Sequence, residues 1–372
     1  MKVALDGLLL GERHSGVETA IEELAHDLGT LKTDLQIGLV CRPQYAPQAE
    51  QMGLQPLVAP QLTTNRLGRI GFEQMLMSRW LQKGGWNLLH GPGYVLPRNW
   101  RGPAVLTVYD LIALQYPQWC KCSNVLHYRA VVPSSIHQAT FVVVPSETTA
   151  RAVTTMFPRA AHRLRTIPLG VSRRFQPVTD AAMLEQVREK YHLPEHFLLY
   201  LGNLEPKKNV EALVTAFEQI AYRTQHALVL SGAGMWKCRR LLQMIERSPV
   251  RDRIVRTGPI AEPDLPALYS DASLLIQWSW YEGAGLPPLE AMACGTPALV
   301  SDGGALPELA GQAAEVVPLG PPEQLAEGIL ALLEDPQRCA QIVQKGRHLA
   351  DRWTWTRHAL QVIALYKEAL GV

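Results

Sequence analysis

Ser279-Trp280-Tyr281-Glu282-Gly283-Ala284-Gly285-Leu286-Pro287-Pro288-Leu289-Glu290-Ala291-Met292-Ala293-Cys294-Gly295-Thr296-Pro297 is the stretch on which the fold turns. The apolar run Leu274–Ile276 precedes it, and Ala298–Val300 follows it; both read as short buried strands. Pro287-Pro288 marks a helix start, because proline in the first turn gives up no intrahelical bond. The stretch therefore reads as strand, loop, short helix beginning near Pro288, strand. Glu282 falls on the loop and Glu290 within the helix. Gly283 and Gly285 let the backbone approach a ligand and turn its N–H groups toward it. Backbone donors at a helix N-terminus suit phosphate oxygens. The two carboxylates suit sugar hydroxyls, each such bond being worth roughly 1.5–3 kcal/mol. Taken alone, two glutamates on a tight turn are equally compatible with solvated side chains.

The same alternation runs along the chain. Apolar runs at Val3–Leu5, Ile37–Val40, Leu88–His90, Val105–Val108 and Phe141–Val144 occupy the first half. Phe197–Leu201, Leu228–Leu230, Ile254–Arg256, Leu274–Ile276, Ala298–Val300 and Glu315–Val317 occupy the second. Strands separated by helical patterns predict βαβ units and parallel sheets. Two helices are explicit: Val17, Ala20, Ile21, Leu24, Ala25 and Leu28 share one face, as do Val210, Leu213, Val214, Phe217 and Ile220. Pro168-Leu169-Gly170-Val171 punctuates the middle. The expectation is an α/β protein of two Rossmann-like, doubly wound domains facing a central cleft: residues 1–170, residues 171–352, and a C-terminal helix over 353–372 packing back toward the first. Ligands in such sheets bind outside the carboxyl ends of the strands.

The 372 residues fit two domains. Hydrophobic residues at 47% and charged residues at 19% exclude a disordered chain. A net charge of +2 excludes a global electrostatic nucleic-acid binder, so anion recognition must be local. Of six cysteines only Cys120 and Cys122 are close, and no second pair completes a zinc site. The thiols are expected to be reduced, as in a cytosolic chain. No leader or membrane span is expected from the sequence. Arg66, Arg69, Phe72, Met75, Leu76, Arg79, Trp80, Leu81 and Lys83 mix basic and large apolar residues in one helical stretch. That pattern fits packing on the first sheet or weak peripheral contact with a membrane.

The opening string resembles the Glu-x(7)-Glu motif of glycosyltransferase family 4, with Ala284 where the family has an aromatic. Tyr200-Leu201-Gly202-Asn203-Leu204-Glu205-Pro206-Lys207-Lys208-Asn209 resembles its donor-phosphate turn. Ser15-Gly16-Val17-Glu18 resembles its N-terminal glycine loop, a plain turn being the rival reading for Gly16. His90-Gly91-Pro92 and Thr107-Val108-Tyr109-Asp110-Leu111 resemble the strand ends on its acceptor side, with Tyr109 where the family commonly has His.

The resemblance implies a GT-B fold and a retaining, nucleotide-sugar-dependent hexosyltransferase of mannose or glucose type. It carries over Glu282 and Lys208 as catalytic. Glu290, Lys208, Asn203, Ala284, Gly285, Leu286 and Gly16 become donor-binding, and Tyr109, Asp110 and His90 acceptor-side. Asn209 is expected to cap the helix after Lys208. No metal is implied, since no Asp-x-Asp motif occurs, and no cofactor beyond the nucleotide sugar, a substrate. GDP-mannose is one expected donor. The acceptor is expected to be a glycan, a lipid-linked glycan or a small molecule, not a nucleic acid. The location is expected to be cytoplasmic, with peripheral contact at the inner membrane face. Retention is open between Glu282 as nucleophile and attack from the leaving-group face. Tyr109 and Ala284 motivate an alternative, a silent homologue acting as a sugar-nucleotide-binding or partner subunit. An epimerase or phosphorylase on the same scaffold is a third reading.

Overall fold

The computed structural model describes residues 1–11, 15–234 and 237–372, the side chains of residues 309 and 312 excepted. The chain forms two compact units, Met1–Gly170 with Trp355–Val372, and Val171–Thr354.

In the first unit, β1 (Lys2–Asp6), β2 (Gln36–Cys41), β3 (Gln55–Val58), β4 (Leu88–Gly91), β5 (Ala104–Thr107), β6 (Phe141–Val144) and β7 (Leu164–Thr166) make one parallel sheet. Its order is β3-β2-β1-β4-β5-β6-β7. The central strands are buried on both faces, which is why they read as unbroken apolar runs. The helix Gly16–Thr30 buries Ala20, Ile21, Leu24, Ala25 and Leu28, and Ser15 caps it by accepting from Glu18 N–H. Trp355–Leu370 packs beside it, with Val362 and Tyr366 fully buried. That helix is tied on by ion pairs from Arg165 to Glu368 (2.8 Å) and Lys367 to Asp34 (2.5 Å).

In the second unit, β8 (Phe197–Leu201), β9 (Ala227–Ser231), β10 (Ile254–Gly258), β11 (Leu274–Gln277), β12 (Ala298–Ser301) and β13 (Glu315–Val317) form a parallel sheet of order β10-β9-β8-β11-β12-β13. Side chains alternate between two cores. Leu198, Tyr200, Leu274, Ile276 and Trp278 enter one. Phe197, Leu199, Leu275 and Val300 enter the other. Strand order reverses between β8 and β11. That switch point is where doubly wound sheets open at their carboxyl ends. All eleven expected runs are strands. The sequence reading missed β3 and β7, the two edges of the first sheet. β3 carries a proline and two exposed residues, and β7 is three half-buried residues, so neither shows an apolar run.

Candidate functional site

The two strands flanking the switch point of the second sheet each deliver one charge. β8 leads through Gly202 to a 3-10 turn, Pro206–Lys208. β11 leads through Trp278 and Ser279 to Glu282. Lys208 Nζ donates to Glu282 Oε1 at 2.5 Å, with side-chain exposures of 12% and 8%. The backbones are joined too, Trp280 N–H donating to the Lys207 carbonyl at 2.8 Å.

Glu282 Oε1 accepts two further bonds, from Ser279 Oγ at 2.8 Å and Gln277 Nε2 at 2.9 Å. Burial pulls this carboxyl upward. The charges of Lys208 and Lys207 and the bonds from Lys208 and Ser279 outweigh it, and the net shift is below the ordinary value. Glu282 is therefore ionised at neutral pH despite being buried. Gly304 fixes its backbone from behind: φ is +64°, and a Cβ there would lie 2.3 Å from the Glu282 carbonyl oxygen. Ala305 N–H donates to that same carbonyl at 2.8 Å.

The helix Leu286–Ala293 begins two residues earlier than the proline pair suggests, with Pro287 and Pro288 inside its first turn. Gly285 precedes it in the left-handed region (φ 64°), whereas Gly283 is not among the positive-φ glycines. The Ala284-Gly285-Leu286 segment thus forms the entry to a helix N-terminus, beside the Glu282 loop in sequence. Glu290 lies on this helix, buried, and its Oε2 accepts from Tyr269 OH at 2.7 Å. Burial first, then the Glu290 charge, pushes the Tyr269 phenol well above its ordinary value, so it stays a donor.

Asn203 sits half-buried on the loop after β8; its carbonyl accepts from Tyr200 OH at 2.9 Å. Asn209 corrects the capping expectation. It stands at the N-cap position of Val210–Ile220, but in the left-handed conformation (φ 55°) and without a side-chain cap bond. Asparagine tolerates that conformation better than most residues, and its carbonyl accepts from Ala212 N–H instead.

In the first unit, Gly16 is exposed at the start of its helix, with open space where a Cβ would stand. Tyr109 is buried just beyond β5, its ring edge-to-face with Tyr94 at 5.6 Å, and burial raises its phenol. Asp110 is half-buried, its Oδ1 accepting from Ile112 N–H at 3.1 Å. His90 is corrected: it is a core residue, not an acceptor contact. Its ring is fully buried, Nδ1 bonded to Tyr366 OH (2.6 Å) and Nε2 to Thr107 Oγ1 (2.8 Å). Burial, then the neighbouring His358, lowers it to about 3, so it is neutral.

The sequence reading gave no role to Gln277, Ser279, Tyr269 or Gly304. A polar residue ending a buried apolar strand was the available signal for Gln277. Among the described residues no group of three or more His, Cys, Asp or Glu is arranged to hold a metal ion.

Two Rossmann-like units, one with an ion pair across its switch point and a second carboxylate on the next helix, have the architecture of a GT-B glycosyltransferase. The family model described as "Glycosyltransferase Family 4" matches residues 14–175, and that described as "Glycosyl transferases group 1" matches residues 185–349. The chain is 30% identical over 283 residues to the O-antigen chain mannosyltransferase B of Escherichia coli, covering 75% of this chain and 74% of that one. It spans only 17–22% of the length of three further E. coli mannosyltransferase relatives. The fold is similar to that of a sucrose-phosphate synthase from Thermosynechococcus elongatus, with a TM-score of 0.79 at 23% identity, covering 100% of this chain and 99% of that one. It is also similar to Anabaena HepE, crystallised with UDP and glucose, with a TM-score of 0.77 at 21% identity over 99% and 100% of the two chains. The chain belongs to glycosyltransferase family 4 and is a glycosyltransferase.

Proposed function

We propose that the protein moves a hexose, mannose in the first instance, from a nucleoside-diphosphate sugar to an acceptor hydroxyl in glycan assembly, retaining the anomeric configuration. The observation that carries this reading is the buried Lys208–Glu282 pair at the switch point. The ammonium group and the N-terminus of Leu286–Ala293 supply positive potential where a leaving diphosphate develops charge. Asn203, Ala284, Gly285, Leu286 and Gly16 complete the donor contacts, and Tyr109 and Asp110 serve the acceptor. Glu290, oriented by Tyr269, takes the ribose hydroxyls. The name of the E. coli relative supports mannose, and the HepE complex supports a nucleotide diphosphate as the leaving group.

Glu282 carries three donors on one oxygen and a lowered pKa. A carboxylate so stabilised is a weak nucleophile, which favours its orienting the sugar while the acceptor attacks from the leaving-group face. Lys208 and the helix dipole do the work of a metal, so turnover in excess chelator should equal turnover without it. The reading is tested by calorimetric titration with GDP-mannose and UDP-glucose. Glu290→Ala should weaken the productive donor 10–100-fold, from the loss of about 1.5–3 kcal/mol. Unchanged affinity for both donors would remove Glu290 from the site. Absence of any transfer or donor hydrolysis by the intact protein would favour the silent homologue.

A lipid-linked acceptor at a membrane surface is favoured by one further observation. Residues 51–146 hold eight Lys and Arg against two Asp and Glu, while the rest of the chain holds 28 against 32. Leu67, Leu126 and Met75, 70–82% exposed, lie in this segment, and Arg66 bonds Asn124 across its helices at 3.1 Å. Basic charge around exposed apolar side chains is the composition of an interfacial surface. No described helix is long and apolar enough to cross a membrane. Sedimentation with anionic vesicles, lost in Leu67→Glu/Leu126→Glu, would support the surface; failure of the intact protein to sediment at low salt would dismiss it.

A further inference from the structure

We infer that Gln277, with Ser279, is the positioning device that fixes the Glu282 carboxylate and aims its second oxygen at the ligand. The inference rests on the reading of Glu282 as a sugar-orienting carboxylate. Ile276 and Trp278 enter one core, and Trp278 Nε1 donates to the Val317 carbonyl at 2.9 Å. Alternation then sends Gln277 and Ser279 to a common face. Both are fully buried.

The two protons of Gln277 Nε2 have two acceptors, Ser279 Oγ at 2.9 Å and Glu282 Oε1 at 2.9 Å. Ser279 accepts from Gln277 and passes its own proton to Glu282 Oε1 at 2.8 Å. The chain of donors therefore has one direction, and all of it ends on one carboxylate oxygen, where Lys208 Nζ also donates. Exchanging the oxygen and nitrogen of the Gln277 amide would set an acceptor against the carboxylate, so the charge of Glu282 fixes the amide's orientation. The amide oxygen left over is buried and has no donor among the described residues. An unsatisfied buried acceptor is destabilising. A leucine of similar volume would avoid that cost, so the glutamine serves the carboxylate rather than the core. With Oε1 saturated by three donors, Oε2 is the oxygen left to accept from a ligand hydroxyl.

The test compares Gln277→Leu with the intact protein in two ways. Without substrate, the acid limb of the curve of melting temperature against pH is recorded. Loss of a donor raises the Glu282 pKa, so the limb should move to higher pH; at pH 7 the lost bond to the carboxylate is offset by removal of the unsatisfied amide oxygen, so the melting temperature there should change little. With donor and acceptor, kcat should fall about 10–100-fold, the equivalent of one hydrogen bond to a charged group, with donor KM changed less than about threefold. Ser279→Ala should act in the same direction and Ser279→Thr should restore most of the loss. An unmoved acid limb together with kcat within twofold would overturn the inference. So would a fall in melting temperature and kcat with the limb in place, since that marks ordinary core damage. A shifted limb in a protein that neither transfers nor hydrolyses any nucleotide sugar would uphold the positioning role and sink the transferase reading.

Discussion

Replacing Lys208 with methionine keeps the stem and removes one charge from a pair 2.5 Å apart. At that distance, unit charges attract by about 7 kcal/mol at an effective dielectric near 20. Desolvation of both ions opposes most of this, but cutting one partner leaves the other buried and uncompensated, at a cost of about 3–5 kcal/mol. Gln277 and Ser279 remain as donors to Glu282 and set the expectation at the lower end, about 3 kcal/mol. Glu282→Gln alone strands the ammonium group and should cost a similar amount. The double variant Lys208→Met/Glu282→Gln strands neither, so it should cost less than either single variant. The coupling energy from the four proteins is then at least about 3 kcal/mol. Urea unfolding followed by fluorescence gives the four stabilities. A coupling below about 0.5 kcal/mol would mean that the two groups are solvated independently, and the electrostatic argument for the site would fail with it. The cycle should also be pH-dependent. The folded pKa of Glu282 lies below its ordinary 4.5, so its contribution is complete above that value and disappears as pH falls through the depressed one.

Two other outcomes follow from buried groups. His90 and His358 are lowered by burial to about 3 and about 4 from 6.5, and both belong to the first unit. Between pH 6.5 and 4 these two histidines let the unfolded chain bind up to two more protons, a contribution of about 2.7 kcal/mol per pH unit lost on acidification, and His90→Gln should remove about half of that contribution in urea titrations at successive pH values. Gly304→Ala should lower kcat more than 10-fold, because its Cβ meets the Glu282 backbone. Gly258→Ala, at φ +72° with nothing within 4 Å, should show the same left-handed strain in melting temperature but unchanged kcat.

The parts of this fold that could be read in the sequence are those where one physical effect dominates. Central parallel strands are buried on both faces, so apolar runs find them. β3 and β7, at the edges, escaped because half-buried strands need no such run. Lys208 and Glu282 were legible through a motif, and their contact required the strand order to bring β8 beside β11. Asn209 was misread because its side chain suits both a cap and a left-handed turn, and spacing does not distinguish the two. His90 was misread because its partner Tyr366 lies 276 residues away on the last helix. Gln277 was invisible as a functional residue for a related reason: its worth depends on where Glu282 returns after the loop.

That return ties the register of β11 to the chemistry of the site. Trp278, the largest fully buried side chain among the described residues, is locked into its core by shape and by the bond from Nε1 to the Val317 carbonyl. A slip of one residue would swing Trp278 to the opposite face and drive Gln277 and Ser279 into an apolar core, because side chains alternate with period two. Both burials would be unfavourable, so the strand has one register. With the register set, Gln277 and Ser279 have one face, and the loop after them brings Glu282 back against that face. The tryptophan thus fixes the face from which Gln277 and Ser279 meet the Glu282 carboxylate. A volume change at this position would therefore reach the site through strand register before it reached it through stability.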